Sequence, residues 1–300
     1  MQLRLGIDNC FAVKRWPRTS DWGPIVRDQL GLRLIQHTFD LIDLGVDDPR
    51  LLRQDLADLG LELHSTFTGL AAYSSNLLLH PSPEARRASE AWYGAAIAWT
   101  AAAGGRATGG HVGAFSVADW TDIGARRERW SDLRASLERL AGEARTAGLD
   151  HLLVENLAAA REPSTMSMIR DLVIDGDSHH VPIRLCLDVG HMCVPGTGGP
   201  ERDPYAWLAT MGALATVVQL QQSDTGGDHH WPFTAARNSE GRIDADRTID
   251  ALGEGGVESC ALVLEVIPAF EQPDDEVLDD LVASVDYWRE ALGRRGVLAP

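Results

Sequence analysis

The sequence predicts a single (β/α)8 barrel, and three observations carry that expectation. The chain has 300 residues, close to what eight βα units require. Eight short apolar runs alternate with helical stretches, and each run is continuous, as in parallel strands buried on both faces. No GxGxxG follows the first run, which favours a closed barrel over an open doubly wound sheet.

The runs fall at residues 3–8, 32–39, 61–67, 108–115, 151–155, 183–188, 215–221 and 261–266. Gly31 and Gly60 close the first two helical stretches. Ser131 and Asp132 are expected to open a helix with Leu133, Leu137, Leu140 and Ala144 on one face and Gly148 as its stop. Asp274 and Asp275 open the last helix, which turns Val277, Leu278, Leu281, Val282, Val285 and Trp288 inward and is expected to end at Gly293. No linker, repeat or low-complexity segment interrupts the pattern, so one domain is expected over residues 1–300.

Composition narrows the function. The net charge of −17 speaks against a nucleic acid as main partner, because such binders neutralise phosphates with a net basic face. The four cysteines, Cys10, Cys186, Cys193 and Cys260, form no CxxC pair and read as reduced thiols. No leader and no apolar run near the roughly 18 residues of a membrane span is present, so a cytoplasmic protein without a membrane partner is expected.

In a barrel, function gathers at the carboxyl ends of the strands. Strand five ends in Glu155, strand six in Asp188, and strand eight carries Glu265. Three carboxylates at the ends of apolar strands are costly to bury without a cation, and no arginine lies on these strand ends. A single such Glu is more often a salt-bridge partner than a ligand; three in register point to a divalent metal. Gln221 completes four ligands, with Gln219 as the competing register. An all-oxygen set favours Mn²⁺, Mg²⁺ or Co²⁺ over zinc.

These strand ends resemble the xylose isomerase-like barrel superfamily, which includes ketose 3-epimerases, hydroxypyruvate isomerase, inosose dehydratase and endonuclease IV. The resemblance implies a metal held by Glu155, Asp188, Gln221 and Glu265, with Gln221 in place of the usual His. Hydroxypyruvate isomerase-like members carry a similar Gln-x-x-Asp, here Gln221 to Asp224. The NLLLHP segment at 76–81 and Gly109-Gly110-His111 resemble two histidine-bearing segments of endonuclease IV. Asp188-x-x-His191 and Asp228-x-His230 resemble two of its further ligand pairs. The resemblance therefore implies a second metal, or substrate contacts, for His80, His111, Asp228 and His230. Each histidine also has a plain reading as a hydrogen-bonded pocket residue, and His80 most of all.

The remaining loops suggest the substrate. Lys14, the sole lysine, and Arg15 follow strand one, His64 lies in HSTFTG, Arg161 follows strand five, and Trp16, Phe67 and Trp231 offer apolar walls. These residues could bind a phosphate or acidic end; a solvated loop is the plain alternative. KRWP, HSTFTG, GGHVGAF, QLQQSD and HHWPF together look most like tetrulose-phosphate 3-epimerases and apiose isomerases. The implied reaction is ketose C3 epimerisation through an enediolate, with Glu155 and Glu265 as base and acid and His191 on a substrate oxygen. An aldose–ketose isomerase, a metal-dependent dehydratase and an endonuclease IV-like phosphoesterase remain alternatives on the same parts. Oligomeric state is open, a homodimer or higher homo-oligomer included.

Overall fold

In the computed structural model, which describes residues 1–70 and 72–299, eight parallel strands follow one another in chain order and close into a barrel. They are β1 (Gln2–Asp8), β2 (Leu34–Thr38), β3 (Glu62–Phe67), β4 (Ala107–Gly110), β5 (His151–Glu155), β6 (Ile183–Asp188), β7 (Ala215–Leu220) and β8 (Ser259–Leu264). Between them run α1 (Thr19–Pro24), α2 (Pro49–Leu59), α3 (Pro83–Ala103), α4 (Ile123–Ala147), α5 (Met166–Leu172), α6 (Pro204–Met211) and α7 (Ala245–Glu254), and α8 (Asp274–Arg295) follows β8. Backbone contacts group the chain into two compact units. One comprises Met1–Gln36, Asp55–Glu62 and Cys186–Pro300; the other comprises His37–Gln54 and Leu63–Leu185.

In the first unit β1 is the hinge of the register, pairing Leu3 with Cys260 and Ile7 with Leu264 on one side, and Gly6 with Leu34 on the other. Gly6 is required there: a Cβ would stand 2.7 Å from the carbonyl oxygen of Leu34. β7 continues the order, with Leu220 against Leu264. α8 buries Val277, Leu281, Val285, Trp288 and Leu292. It starts on Asp274, Asp275 and Glu276 and finishes on Arg294 and Arg295, charges that complement the helix dipole at both ends. It runs past Gly293 and stops at Gly296, whose φ of 64° suits the left-handed cap.

In the second unit β4 pairs with β3 and β5, and Leu152, Val154, Tyr93, Ile97, Leu133, Leu137 and Leu140 form its apolar core. α3 is capped by Ser82, with Pro83 in its first turn. α4 starts eight residues before the expected Ser131, because the Asp122 side chain accepts from the Ala125 N–H and Ser131 sits harmlessly mid-helix. β4 is shorter than the expected run. Gly109, Gly110 and Gly113 hold φ of 143°, 123° and 126°, and beyond Gly110 the chain leaves the ladder. A Cβ at Gly109 would meet the Leu153 carbonyl oxygen at 2.1 Å.

Candidate metal centre and active site

Asp188, the last residue of β6, is fully buried, and its Oδ1 accepts from the Gly190 N–H at 2.6 Å, a turn that sends His191 back toward the strand end. Gln221 follows β7 directly, and Glu265 follows β8, its N–H donating to the Leu220 carbonyl at 2.9 Å. The loop after β7 then returns: Gln222 and Trp231 exchange both backbone hydrogen bonds, at 2.8 and 3.1 Å. That return puts Asp228 and His230 beside the strand ends.

Among the described residues of this unit, two overlapping groups result. The ligand atoms of His191, Asp228 and His230 all lie within 4.8 Å of one another, and so do those of Asp188, His230 and Glu265. Asp228 stands 3.2 Å from the Nε2 of both His191 and His230. His230 Nδ1 is 3.7 Å from Glu265 Oε2. Burial opposes ionisation of Asp228, but the two imidazoles outweigh it and hold its carboxyl well below the usual range. The donor chemistry, two imidazoles beside three carboxylates, fits a divalent cation.

Backbone strain marks one member of this cluster. His230 has φ of 49° and Lys14 has φ of 65°, and among the described residues these are the two non-glycine positions with positive φ. Such a conformation costs about 1–2 kcal/mol for a residue with a Cβ. For His230 the gain is direction, since its N–H donates to Gln221 Oε1 at 2.7 Å while its ring reaches Asp228. Gln221 Nε2 donates to Asp228 Oδ1 at 2.7 Å and faces both oxygens of Asp188 at 3.1 and 3.2 Å. Gln219 points elsewhere, donating to Gln36 Oε1 at 3.0 Å, so of the two registers it is Gln221 that reaches the site.

Other expected site residues of this unit have structural partners. Arg15 pairs with Asp274 at 2.5 Å and donates to the Ala269 and Phe270 carbonyls, tying the loop after β1 to the loop after β8. Lys14 is exposed, its Nζ 3.9 Å from the centre of the Phe270 ring. Trp231 stacks on His229 at 4.0 Å and carries Arg237 over its ring at 4.4 Å. It lines a cleft of about 800 Å³ with Pro232, Ile267, Pro268 and Glu276.

In the second unit Glu155 ends β5 and is buried, and its charge adds to burial in pushing the Tyr93 hydroxyl pKa upward. His111 is buried; its Nδ1 accepts from the Gly113 N–H at 3.1 Å, so Nε2 carries the proton toward Glu162 Oε1 at 3.3 Å. Glu162, also buried, escaped the sequence reading, because an acid in the polar stretch AAREPS gives no local sign of burial. His80 caps a turn, Nδ1 accepting from the Ser82 N–H at 3.0 Å. Among the described residues neither His80 nor His111 belongs to a group of three ligand-capable side chains. Arg161 donates to the Phe115 carbonyl, bracing two loops. The expectation for His64 is corrected. It lies before the Ser65–Ala107 pair, against the His151 ring at 6.4 Å, at the amino end of these strands and away from their carboxyl ends.

Comparison with known proteins agrees with this fold. The family described as xylose isomerase-like TIM barrel matches residues 28–290. D-erythrulose 1-phosphate 3-epimerase of Brucella abortus (strain 2308) is 28% identical over 301 residues, covering 96% of each chain. A solved xylose isomerase candidate from Rhodospirillum rubrum is 32% identical, with a TM-score of 0.87 over 99% of this chain and 100% of that one. A solved L-ribulose 3-epimerase, at 21% identity and TM-score 0.71 over 99% and 95% of the two chains, shares the fold.

Proposed function

The chain belongs to the xylose isomerase-like TIM barrel family of metal-dependent sugar epimerases and isomerases, and on that premise we propose that it epimerises C3 of a short-chain ketose or ketose phosphate. The observation that carries the reading is the cluster in which buried Asp188, His191 and Glu265 meet the less buried His230 and Asp228, gathering acid, base and ligand groups beside the strand ends. The relative named for D-erythrulose 1-phosphate supports a tetrulose phosphate as substrate, with a pentulose as the next size.

A bound divalent cation, Mn²⁺ by preference and Mg²⁺ or Co²⁺ as alternatives, supplies Lewis acidity that makes the C–H beside the ketone acidic. Asp188 and Glu265 are proposed to hold it, together with Glu155; the sequence expectation adds Gln221 as the fourth ligand. Glu155 and Glu265 also divide the proton work: one carboxylate takes the proton from the carbon and the other returns one to the opposite face. His191, buried beside Asp228, would donate to a substrate oxygen. Lys14, exposed on its left-handed turn, is proposed to meet the phosphate.

The test is a panel of tetruloses and pentuloses, free and phosphorylated, incubated with enzyme and Mn²⁺ in D₂O and followed by NMR. Inversion with exchange at C3 is expected; exchange at C1 or C2 alone would make the enzyme an aldose–ketose isomerase, and loss of water a dehydratase. Glu155→Gln and Glu265→Gln should each lower kcat by roughly 10³-fold, and a wild-type rate in either ends the two-glutamate scheme. Lys14→Ala should raise KM for the phosphorylated ketose by roughly tenfold or more and leave the free ketose unchanged. An equal effect on both would remove Lys14 from phosphate recognition. The His191–Asp228–His230 group favours one further reading, a multi-metal phosphoesterase. Two or three ions per chain together with cleavage of abasic DNA would establish it.

A further inference from the structure

The side chain directly after β7 is the one the family resemblance makes a ligand, yet its amide faces the wrong way for that role. An amide binds a cation through its oxygen; its nitrogen carries two hydrogens and has no lone pair to give. Gln221 Oε1 is engaged by the His230 N–H at 2.7 Å, and Nε2 is the end turned to Asp228 at 2.7 Å and Asp188 at 3.1 and 3.2 Å. Rotating the amide by half a turn would set N–H against N–H at His230 and oxygen against oxygen at both carboxylates. Three partners therefore fix one orientation. The amide also lies flat on Gly190, where an added Cβ would meet its Cδ at 2.3 Å and its two polar atoms at 2.6 Å.

A ligand of the expected type is present a few residues on. His230 leaves the return strand with φ of 49°, and one of its ring nitrogens falls in one group with an oxygen of Asp188 and an oxygen of Glu265. We propose that His230 supplies the imidazole ligand of the metal, reaching it from the loop, and that Gln221 is a positioning residue that holds His230 and the carboxylates Asp188 and Asp228 in place. The assignment rests on the metal-dependent reading above. It replaces an all-oxygen set by a mixed oxygen and nitrogen set, which moves preference from Mg²⁺ toward Mn²⁺, Co²⁺ and Zn²⁺. It also gives the left-handed backbone at His230 a purpose, because the same conformation presents the N–H to Gln221 and the ring to the ion.

The experiment uses the full chain loaded with Mn²⁺ and grown with ¹⁵N-histidine. Pulsed EPR reads directly bound imidazole nitrogen, and a titration reads the Mn²⁺ Kd. Wild type should show a bound ¹⁵N coupling. His230→Asn and His230→Gln should lose that coupling, or fail to bind Mn²⁺ while keeping the wild-type circular dichroism, and His191→Asn should retain it. Gln221→Ala, and Gly190→Ala, which displaces the amide without altering it, should keep the coupling with Kd raised by roughly 10- to 100-fold, the usual effect of losing a group that orients ligands. A loaded His230→Asn protein that keeps the coupling, or a loaded wild type that lacks it, overturns the assignment and leaves the metal-dependent reading standing. A wild type that takes up no Mn²⁺ overturns both.

Discussion

His37 sits in β2 at 4% exposure, its Nδ1 3.0 Å from the Thr38 carbonyl and its ring 6.4 Å from that of Trp99. Burial pushes its pKa down to about 4, so the ring is neutral in the fold at pH 7 and donates Nδ1–H to that carbonyl. The unfolded chain titrates near 6.5. Between those values the unfolded state holds more protons, and stability falls as pH drops from 6.5 toward 4. From pH 7.5 to pH 5 the loss from this one residue is about 2 kcal/mol. His151, also pushed down to about 4, first by burial and then by His64, works in the same direction. Urea unfolding at the two pH values should therefore show wild type losing about 2 kcal/mol more than His37→Gln. Equal losses in the two proteins would mean that His37 takes up its proton without unfolding cost.

At the scale of elements, what the sequence disclosed depended on how local its cause was. β5 and β6 match their apolar runs residue for residue, since a buried parallel strand writes its burial into every position. α8 was legible at its start, where three acids meet the helix dipole, but its end moved from Gly293 to Gly296, because only the latter takes the left-handed cap. β4 was overread: HVGAF is as apolar as a strand, yet Gly113 turns it into a loop packed on Asn76 and Leu79. The carboxylates at strand ends were legible for the same reason as the strands. The loop after β7 was not. Gln222 shows why: its amide donates to Asn238 and to the Ile243 carbonyl, and accepts from the Ser223 and Ile243 N–H groups. That clamp joins residues up to 21 positions apart, and it shapes the loop that carries Asp228 and His230. Nothing in QLQQSD distinguishes its glutamines: one pairs with Gln36, one holds the site, and one closes the loop.

For the whole molecule the governing fact is an excess of negative charge, −17 in all, part of it concentrated where Asp188, Asp228 and Glu265 converge. Carboxylates this close repel, and at an effective dielectric near 20 each pair is worth about 1–3 kcal/mol against the fold. A divalent cation reverses the sign of that contribution, so site and stability are linked. With the ion at about 100 times its Kd, binding adds about 2.7 kcal/mol. For a chain of this length that is a rise in Tm of about 4 °C. Adding Mn²⁺ to metal-stripped protein should produce that rise and EDTA should cancel it, both read by scanning calorimetry. Asp188→Asn separates this linkage from nonspecific salt effects. It removes one charge from the cluster and weakens the site, so the stripped variant should melt above stripped wild type while its response to Mn²⁺ is lost. If instead the stripped variant melts lower and still gains 4 °C with Mn²⁺, Asp188 serves the fold rather than the ion, and the trade of stability for a metal site does not operate at the end of β6.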